Sequence, residues 1–567
     1  MQLALVLSST ALQDPKLHSR GWGQHVTAAV RRAYCVEHPV NRRDEGRLLN
    51  QHQMPSPCTS LPLLTGRITL SEALEEEDNI LGKLTYPEKR LNFCSHLHVH
   101  AKEIETIVSH HLHVPGETCR VPWVDEWIHG SFNVCIPVYV NGEKSVIIRF
   151  PLPYKVGEAT SPGNVEEKLR CEVATYAWVQ SHCPSIPTAK LWGFGFPNGP
   201  IFTSLDRAPF LSRLTWYIRR SIRWMLGKPP PSGYVMHTHK LQFVPGYMLL
   251  DFVHGRMLSE TWDTLREDDE RRRTLYRHIS QTMLSLARFH FPRIGSLTMD
   301  NHGVVGLRHR PLTLHLHQLE NEGVPTDIPR DSTYTTSDGY ARDLLACHDN
   351  RVRHQPNTIL DYADGQSQLS ALTMMRALLP HFTNRARRHG PFPLMLTDLH
   401  PSNIFVDEDW RVTCFIDLEW ACSRPAEMLH PPHWLTGRAI DQLSAAHLDA
   451  YSERHDEFMA VFEKEERARG HGDAALAEIM RTGWKTGTFW YFSALDSVNG
   501  LYNLFLQHIQ PIYGEAAMKD WKDFERVVAP YWTADSLEFI DQKVRERELY
   551  LEQVKEAFRR SGEGEST

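Results

Sequence analysis

Leu394-Met-Leu-Thr-Asp-Leu-His-Pro-Ser-Asn-Ile-Phe-Val-Asp-Glu-Asp-Trp-Arg-Val-Thr-Cys-Phe-Ile-Asp-Leu-Glu-Trp420 is the stretch from which the rest of the chain is read. Asp398 and Asp417 each follow an apolar run, and Asn403 comes five residues after the first of them. Three oxygen-bearing side chains at strand ends suit phosphates and hard cations. Magnesium takes a few carboxylate or amide oxygens together with phosphate oxygens and water, so Asp417 and Asn403 are its candidate ligands. Asp398, one loop away, is placed to orient and deprotonate an attacking hydroxyl. The plainer reading makes Asp-Leu-His-Pro-Ser-Asn and Asp-Glu-Asp turn punctuation around a hairpin. The continuation Ile416-Asp417-Leu418-Glu419-Trp420 favours the site.

Composition bounds the rest. A chain of 567 residues with 41% hydrophobic and 23% charged residues is globular and long enough for two to four structural units. A net charge of -7 gives no reason to expect nucleic-acid binding. Ten cysteines without Cys-x2-Cys pairs argue against a zinc ribbon or a disulfide scaffold and for reduced thiols, hence a cytoplasmic protein. No apolar run approaches the ~20 residues that span a bilayer. In residues 1–34, Arg20, Arg31 and Arg32 outnumber Asp14. A disordered polar tail and a mitochondrial presequence both fit, the tail better.

Working towards the N-terminus, residues 1–92 read as an extension of little order, with order beginning near Phe93. Ser95 to His113 has helical spacing and carries six histidines, expected on a solvated face rather than at a metal. Two β-rich runs flank Asn141-Gly142, a hairpin signal. Gly130 and Ser131, in the turn before the first run, let the backbone approach phosphates, and Arg149 on the returning strand reaches them with charge. A helix over 166–180 presents Glu172 as the partner that aims Arg149. The apolar run Tyr247–Phe252, ending near Gly255, forms the hinge of a lobe spanning 93–252, with Asp251 and Phe252 at the nucleotide. A basic insertion at about 203–243 holds a helix whose Leu211, Leu214, Ile218 and Ile222 are expected to pack on that lobe. Membrane or phospho-partner contact is the weaker reading. Residues 253–535 read as a helical lobe, with a His-rich, turn-rich region at 298–366 reaching across the cleft. Residues 536–567 read as a charged helix and tail.

These blocks, in this order, resemble the aminoglycoside phosphotransferase family, in particular its fungal phosphotransferase-domain proteins, over roughly residues 125 to 510. The resemblance rests on Val146–Pro151, Arg170-Cys171-Glu172-Val173, Leu250–Gly255, Ile294–Leu297, Thr397–Asn403 and Ile416–Trp420. Asp-x4-Asn followed by an apolar strand ending in Asp is the sequence form of a kinase catalytic loop. The resemblance implies an α+β, bilobal protein-kinase-like fold, with a small β-rich lobe, a large helical lobe and ATP between them. It implies Asp398 as base, Asn403 and Asp417 as magnesium ligands, Arg149 at the nucleotide phosphates and Glu172 behind it. The activity expected is transfer of the γ-phosphoryl group to a hydroxyl of a small molecule, with Glu419, Trp420 and Trp434 on the acceptor side. A catalytically impaired, nucleotide-binding scaffold is the alternative, since Leu396-Thr397 stands where the family has His-Gly.

Overall fold

The computed structural model describes residues 60–197, 199–237, 245–470, 476–514 and 521–564. The expectations for residues 1–59 and for the 238–243 end of the basic insertion lie outside them.

Asn141 and Gly142 both adopt positive φ, 53° and 89°, the geometry that lets a two-residue turn follow the twist of its strands. That turn joins β5 (Asn133–Val140) to β6 (Glu143–Pro151). The eight-stranded small-lobe sheet is built outward from them. β3 (Cys119–Arg120) and β4 (Ile128–His129) pair on the outer side of β5, while β10 (Tyr247–Asp251), β7 (Leu191–Gly195), β8 (Ile201–Ser204) and β9 (Tyr234–His237) follow β6 in that order. A separate hairpin, β1 (Ser60–Pro62) with β2 (Arg67–Thr69), precedes the lobe.

Strand alternation decides what each face meets. Val146, Ile148 and Phe150 point with Val134, Ile136 and Val138 towards the helix Ala101–Leu112 and its Ile104, Ile107 and Val108. Arg149, between Ile148 and Phe150, points the other way, to the helix Asn164–His182. The expected helix over 95–113 breaks at His100 into Tyr86–Val99 and Ala101–Leu112. His111 is not on a solvated face. It is buried between Thr203 Oγ1 and Tyr247 Oη, both at 2.9 Å, and burial holds its pKa well below the ordinary value. The ring fits because residue 193 is glycine; a Cβ there would lie 2.2 Å from His111 Nδ1.

Regular structure is already present between Ser60 and Phe93. Thr69 and Glu72 form a capping box, with Thr69 N donating to Glu72 Oε2 at 2.8 Å, and start the helix Leu70–Glu75. Leu61, Ile68, Ala73 and Ile80 then pack on Tyr550, Val554 and Phe558 of the C-terminal helix Ser536–Gly564. Each large apolar side chain buried this way stabilises by roughly 1.5–3 kcal/mol, enough to order an extension whose composition is unremarkable.

The large lobe is helical, with Asp269–Ala287, Ser337–His354, Tyr362–Phe382 and Ala446–Ala468 among its longer helices. The 298–366 region is more regular than expected. It holds the helix Leu314–Asn321, whose first residue reaches the cleft, and the helix Ser337–His354. Arg310 ties it down, donating to both oxygens of Glu167 at 2.6 and 2.8 Å and to Glu320 at 2.7 Å. The basic insertion departs most from expectation. Leu211, Leu214, Ile218 and Ile222 of the helix Phe210–Met225 are exposed, and of its side chains only Trp216 is buried.

Candidate active site

Two antiparallel pairs hold the Asp398 loop. Phe392–Leu396 pairs with Ala421–Ser423, and Ile404–Val406 pairs with Val412–Phe415. Asn403 closes the loop from inside, its Nδ2 donating to the Asp398 carbonyl at 3.0 Å and to Asp398 Oδ2 at 3.2 Å. The amide oxygen of Asn403 accepts only a long hydrogen bond from Ser402 Oγ, at 3.5 Å, and has a second lone pair for another partner. Asp417 has φ 57°, a left-handed conformation that Asp tolerates better than most residues. It stands at the turn from Val412–Phe415 into the 3-10 turn Leu418–Trp420.

Across the cleft stands a cluster of buried charges. Arg149 donates to Glu172 Oε1 at 2.6 Å and to Glu419 Oε2 at 2.6 Å, and lies 2.9 Å from Asp417 Oδ1. Lys168 meets the same Glu419 Oε2 at 2.7 Å and Asn133 Oδ1 at 2.9 Å, while Asn133 Nδ2 donates to Glu419 at 3.0 Å. Two cations thus face three carboxylates. Burial pushes both glutamates up. Lys168, Arg149 and Asn133 hold Glu419 well below the usual carboxylate range, whereas Glu172, less completely compensated by Arg149 and Lys168, stays above it. Burial alone would lower the guanidinium of Arg149, but Asp417, Glu172 and Glu419 hold it well above its ordinary value, so it stays charged.

A cavity of about 160 Å³ opens between these two halves, lined by Gly130, Ser131, Phe132 and Arg149 from the small lobe and by Asp398, Asn403 and Asp417 from the large one, among others. Arg149 Nε is buried without a hydrogen-bond partner, a donor left over for an anion.

One stretch of the chain matches a known family. Residues 229–428 match the family model described as phosphotransferase enzyme family, APH. This stretch is similar to APH-type phosphotransferases. No curated protein matches the chain. A solved structure, the GDP complex of wild-type aminoglycoside 2'-phosphotransferase-IIIa, is similar at 12% identity, covering 75% of this chain and 92% of that chain with a TM-score of 0.32, too distant to place any residue. The architecture of this chain is α+β and bilobal, with a β-rich small lobe and a helical large lobe.

The matched segment contains Asp398, Asn403 and Asp417, while Arg149 and Glu172 lie outside it; Arg149 meets Asp417 only in space, and Glu172 meets Arg149. Gly130 and Ser131 line the cavity. Asp251 and Phe252 stand at the lobe junction outside its lining. Asp251 Oδ1 accepts from Trp192 Nε1 at 2.6 Å, and Phe252 N donates to the Ser145 carbonyl at 3.1 Å. Of the three residues expected on the acceptor side, Glu419 lines the cavity and is also engaged in the charge cluster, whereas the two tryptophans are placed differently. Trp420 is 1% exposed and packs edge-on against Phe132 and His317. Trp434 is buried, its Nε1 donating to the Leu399 carbonyl at 2.6 Å. Aromatic residues beside a polar motif suggest a binding wall, but here their rings fill the core behind it. Lys168 and Asn133 were not anticipated. The signal for Lys168 was its i,i+4 spacing from Glu172, which puts both on one helix face.

The APH family's His-Gly before the Asp is replaced by Leu396-Thr397, and the loop is braced otherwise. Thr397 offers both its backbone N, at 3.0 Å, and its Oγ1, at 2.5 Å, to the Trp420 carbonyl. With Trp434 on the Leu399 carbonyl, both sides of Asp398 are tied to the body of the large lobe.

Proposed function

We propose that this phosphotransferase uses ATP with magnesium and transfers the γ-phosphoryl group to a hydroxyl of a small polar molecule. The observation carrying this reading is the convergence, in one cavity, of Asp398, Asn403 and Asp417 with the charged Arg149 and the Gly130–Phe132 turn. The donors fit magnesium, since the amide oxygen of Asn403 and the part-exposed carboxylate of Asp417 are hard oxygen ligands. When bound, the ion would neutralise phosphate charge. Arg149 holds the nucleotide phosphates from the small-lobe side, and Glu172 fixes its direction. Asp398 accepts the proton of the acceptor hydroxyl as its oxygen bonds to the γ-phosphorus and the bond to the ADP oxygen breaks. Positioning supplies most of the rate, and Asn403 supplies the positioning of Asp398.

A small acceptor is favoured by a second cavity of about 590 Å³, which shares Phe132 with the first. Its walls include Asp78, Lys83, Lys155, Glu322, His433 and Asp441. That volume and mixed charge suit a hydrophilic metabolite rather than an extended peptide. Burial and the facing Asp78 push the Glu322 carboxyl up to about 7, so its charge there is easily changed by what binds.

Thermal melting with ATP tests the reading. At a ligand excess of 100 times Kd, binding stabilises by about 2.7 kcal/mol. The melting temperature is expected to rise with ATP and magnesium, and Asp417→Asn to lose the magnesium-dependent part of the rise. No rise under either condition would overturn the proposal. Thr397→Val should cost only about 1 kcal/mol of stability, as one hydrogen bond does. Its kcat is expected to fall about tenfold or more through looser placement of Asp398, measured by steady-state release of ADP. Unchanged kcat would show that the hydroxyl does not position the loop.

A further inference from the structure

We propose that the helix Phe210–Met225 seats the chain on an anionic lipid bilayer surface. At 3.6 residues per turn, Phe210, Leu211, Leu214, Tyr217, Ile218, Ile222, Trp224 and Met225 fall on one broad side of this helix. All are exposed, with Phe210 at 76% and Trp224 at 77%. The helix is not loose. Trp216, on the side opposite Leu214, Ile218 and Met225, packs with Ala208 and Val235 and donates its Nε1 to the Ser232 carbonyl at 3.0 Å. Arg220 stacks over that indole at 5.3 Å, and Arg223 Nε donates to the Pro229 carbonyl at 2.7 Å. The helix is therefore fastened by its cationic side and turns its apolar side outward, the reverse of a helix that completes a core.

Charge selects the occupant. Arg213 and Arg219 border the apolar side on its two edges, and Arg207, Arg220, Arg223 and Lys228 add to them. No Asp or Glu occurs between Asp206 and Asp251. A convex apolar strip with aromatic residues along it and arginines at both edges matches a bilayer interface. There apolar side chains sink about 5–10 Å and guanidinium groups stay with the phosphates. No described helix is long and apolar enough to cross a membrane, so this contact lies in the interface plane.

Flotation of the full chain with vesicles tests this, using phosphatidylcholine alone and phosphatidylcholine with phosphatidylserine. Binding is expected to the anionic vesicles and to weaken at high salt. Ile218→Glu/Ile222→Glu should lose about tenfold or more of it, and so should Arg213→Glu/Arg219→Glu. The changed residues are exposed, so melting temperatures should stay at the wild-type value. If the apolar pair does shift melting, Phe210→Ser/Trp224→Ser gives the same readout. Failure of the wild type to float, or equal flotation of all variants, would overturn the proposal. So would a dimer in sedimentation equilibrium that Ile218→Glu/Ile222→Glu abolishes without any vesicle binding, since the strip would then be an interface between copies.

Discussion

Asp398→Asn is expected to lower turnover by roughly 10²–10⁴-fold while leaving nucleotide binding and melting temperature near wild type. The reasoning is geometric. Asp398 lines the cavity with Asn403 and Asp417, and its Oδ2 accepts from Asn403 Nδ2 at 3.2 Å. An asparagine at this position keeps a carbonyl oxygen for that hydrogen bond and the same volume, so the loop keeps its shape. What it loses is the capacity to take a proton. Steady-state ADP release with a panel of amino alcohols and sugars, run beside an ATP melting titration, separates the two effects. Turnover within a fewfold of wild type would remove Asp398 as the base. Loss of ATP binding in the same variant would mean that Asp398 holds the cation or the loop instead.

The residues of this prediction were legible in the sequence because they are close in the chain. Asp398, Asn403 and Asp417 sit on one short run whose strand pairings are local, so spacing alone brings them together. The Asn141-Gly142 turn, which joins the two strands, is equally local, although the register shifts by one residue between Val138 and Tyr139 before the pairing of Arg149 with Cys135. Less legible are the contacts whose partners are distant in sequence. Glu419 lines the cleft as its charge suggests, but its ion pair with Lys168, 251 residues away, appears only in space. Residues 60–84 looked unstructured because the surface that orders them lies on the helix Ser536–Gly564, and Ile80 N meets Tyr550 Oη across 470 positions. The apolar stripe of Phe210–Met225 was visible, but periodicity gives a face and not its direction. Trp216, one aromatic among several in the sequence, turns that face outward.

The buried cluster leads to the second large effect. Lys168 is fully buried, and Glu419 is 2% exposed. Removing either partner leaves the other as an undercompensated charge in a low-dielectric interior, which costs about 3–5 kcal/mol. Lys168→Met is therefore expected to lower the free energy of unfolding by about that amount in a urea titration, and Glu419→Gln by a similar amount. In the double variant no unmatched charge from this pair remains, so its loss should be smaller than the sum by about 0.5–3 kcal/mol. Additive losses would mean that Lys168 is held by Asn133 and Glu172 without need of Glu419. Coupling of the expected sign has a consequence beyond stability. Lys168 and Glu172 belong to a small-lobe helix, Arg149 to a small-lobe strand, Asn133 to the end of the turn over the cavity, and Asp417 and Glu419 to the large lobe. The cluster fastens the two lobes at the point where Arg149 faces Asp417. On the proposed function, a variant that loosens it should lose ATP affinity as well, because Arg149, the proposed phosphate ligand, is held by both Glu419 and Asp417.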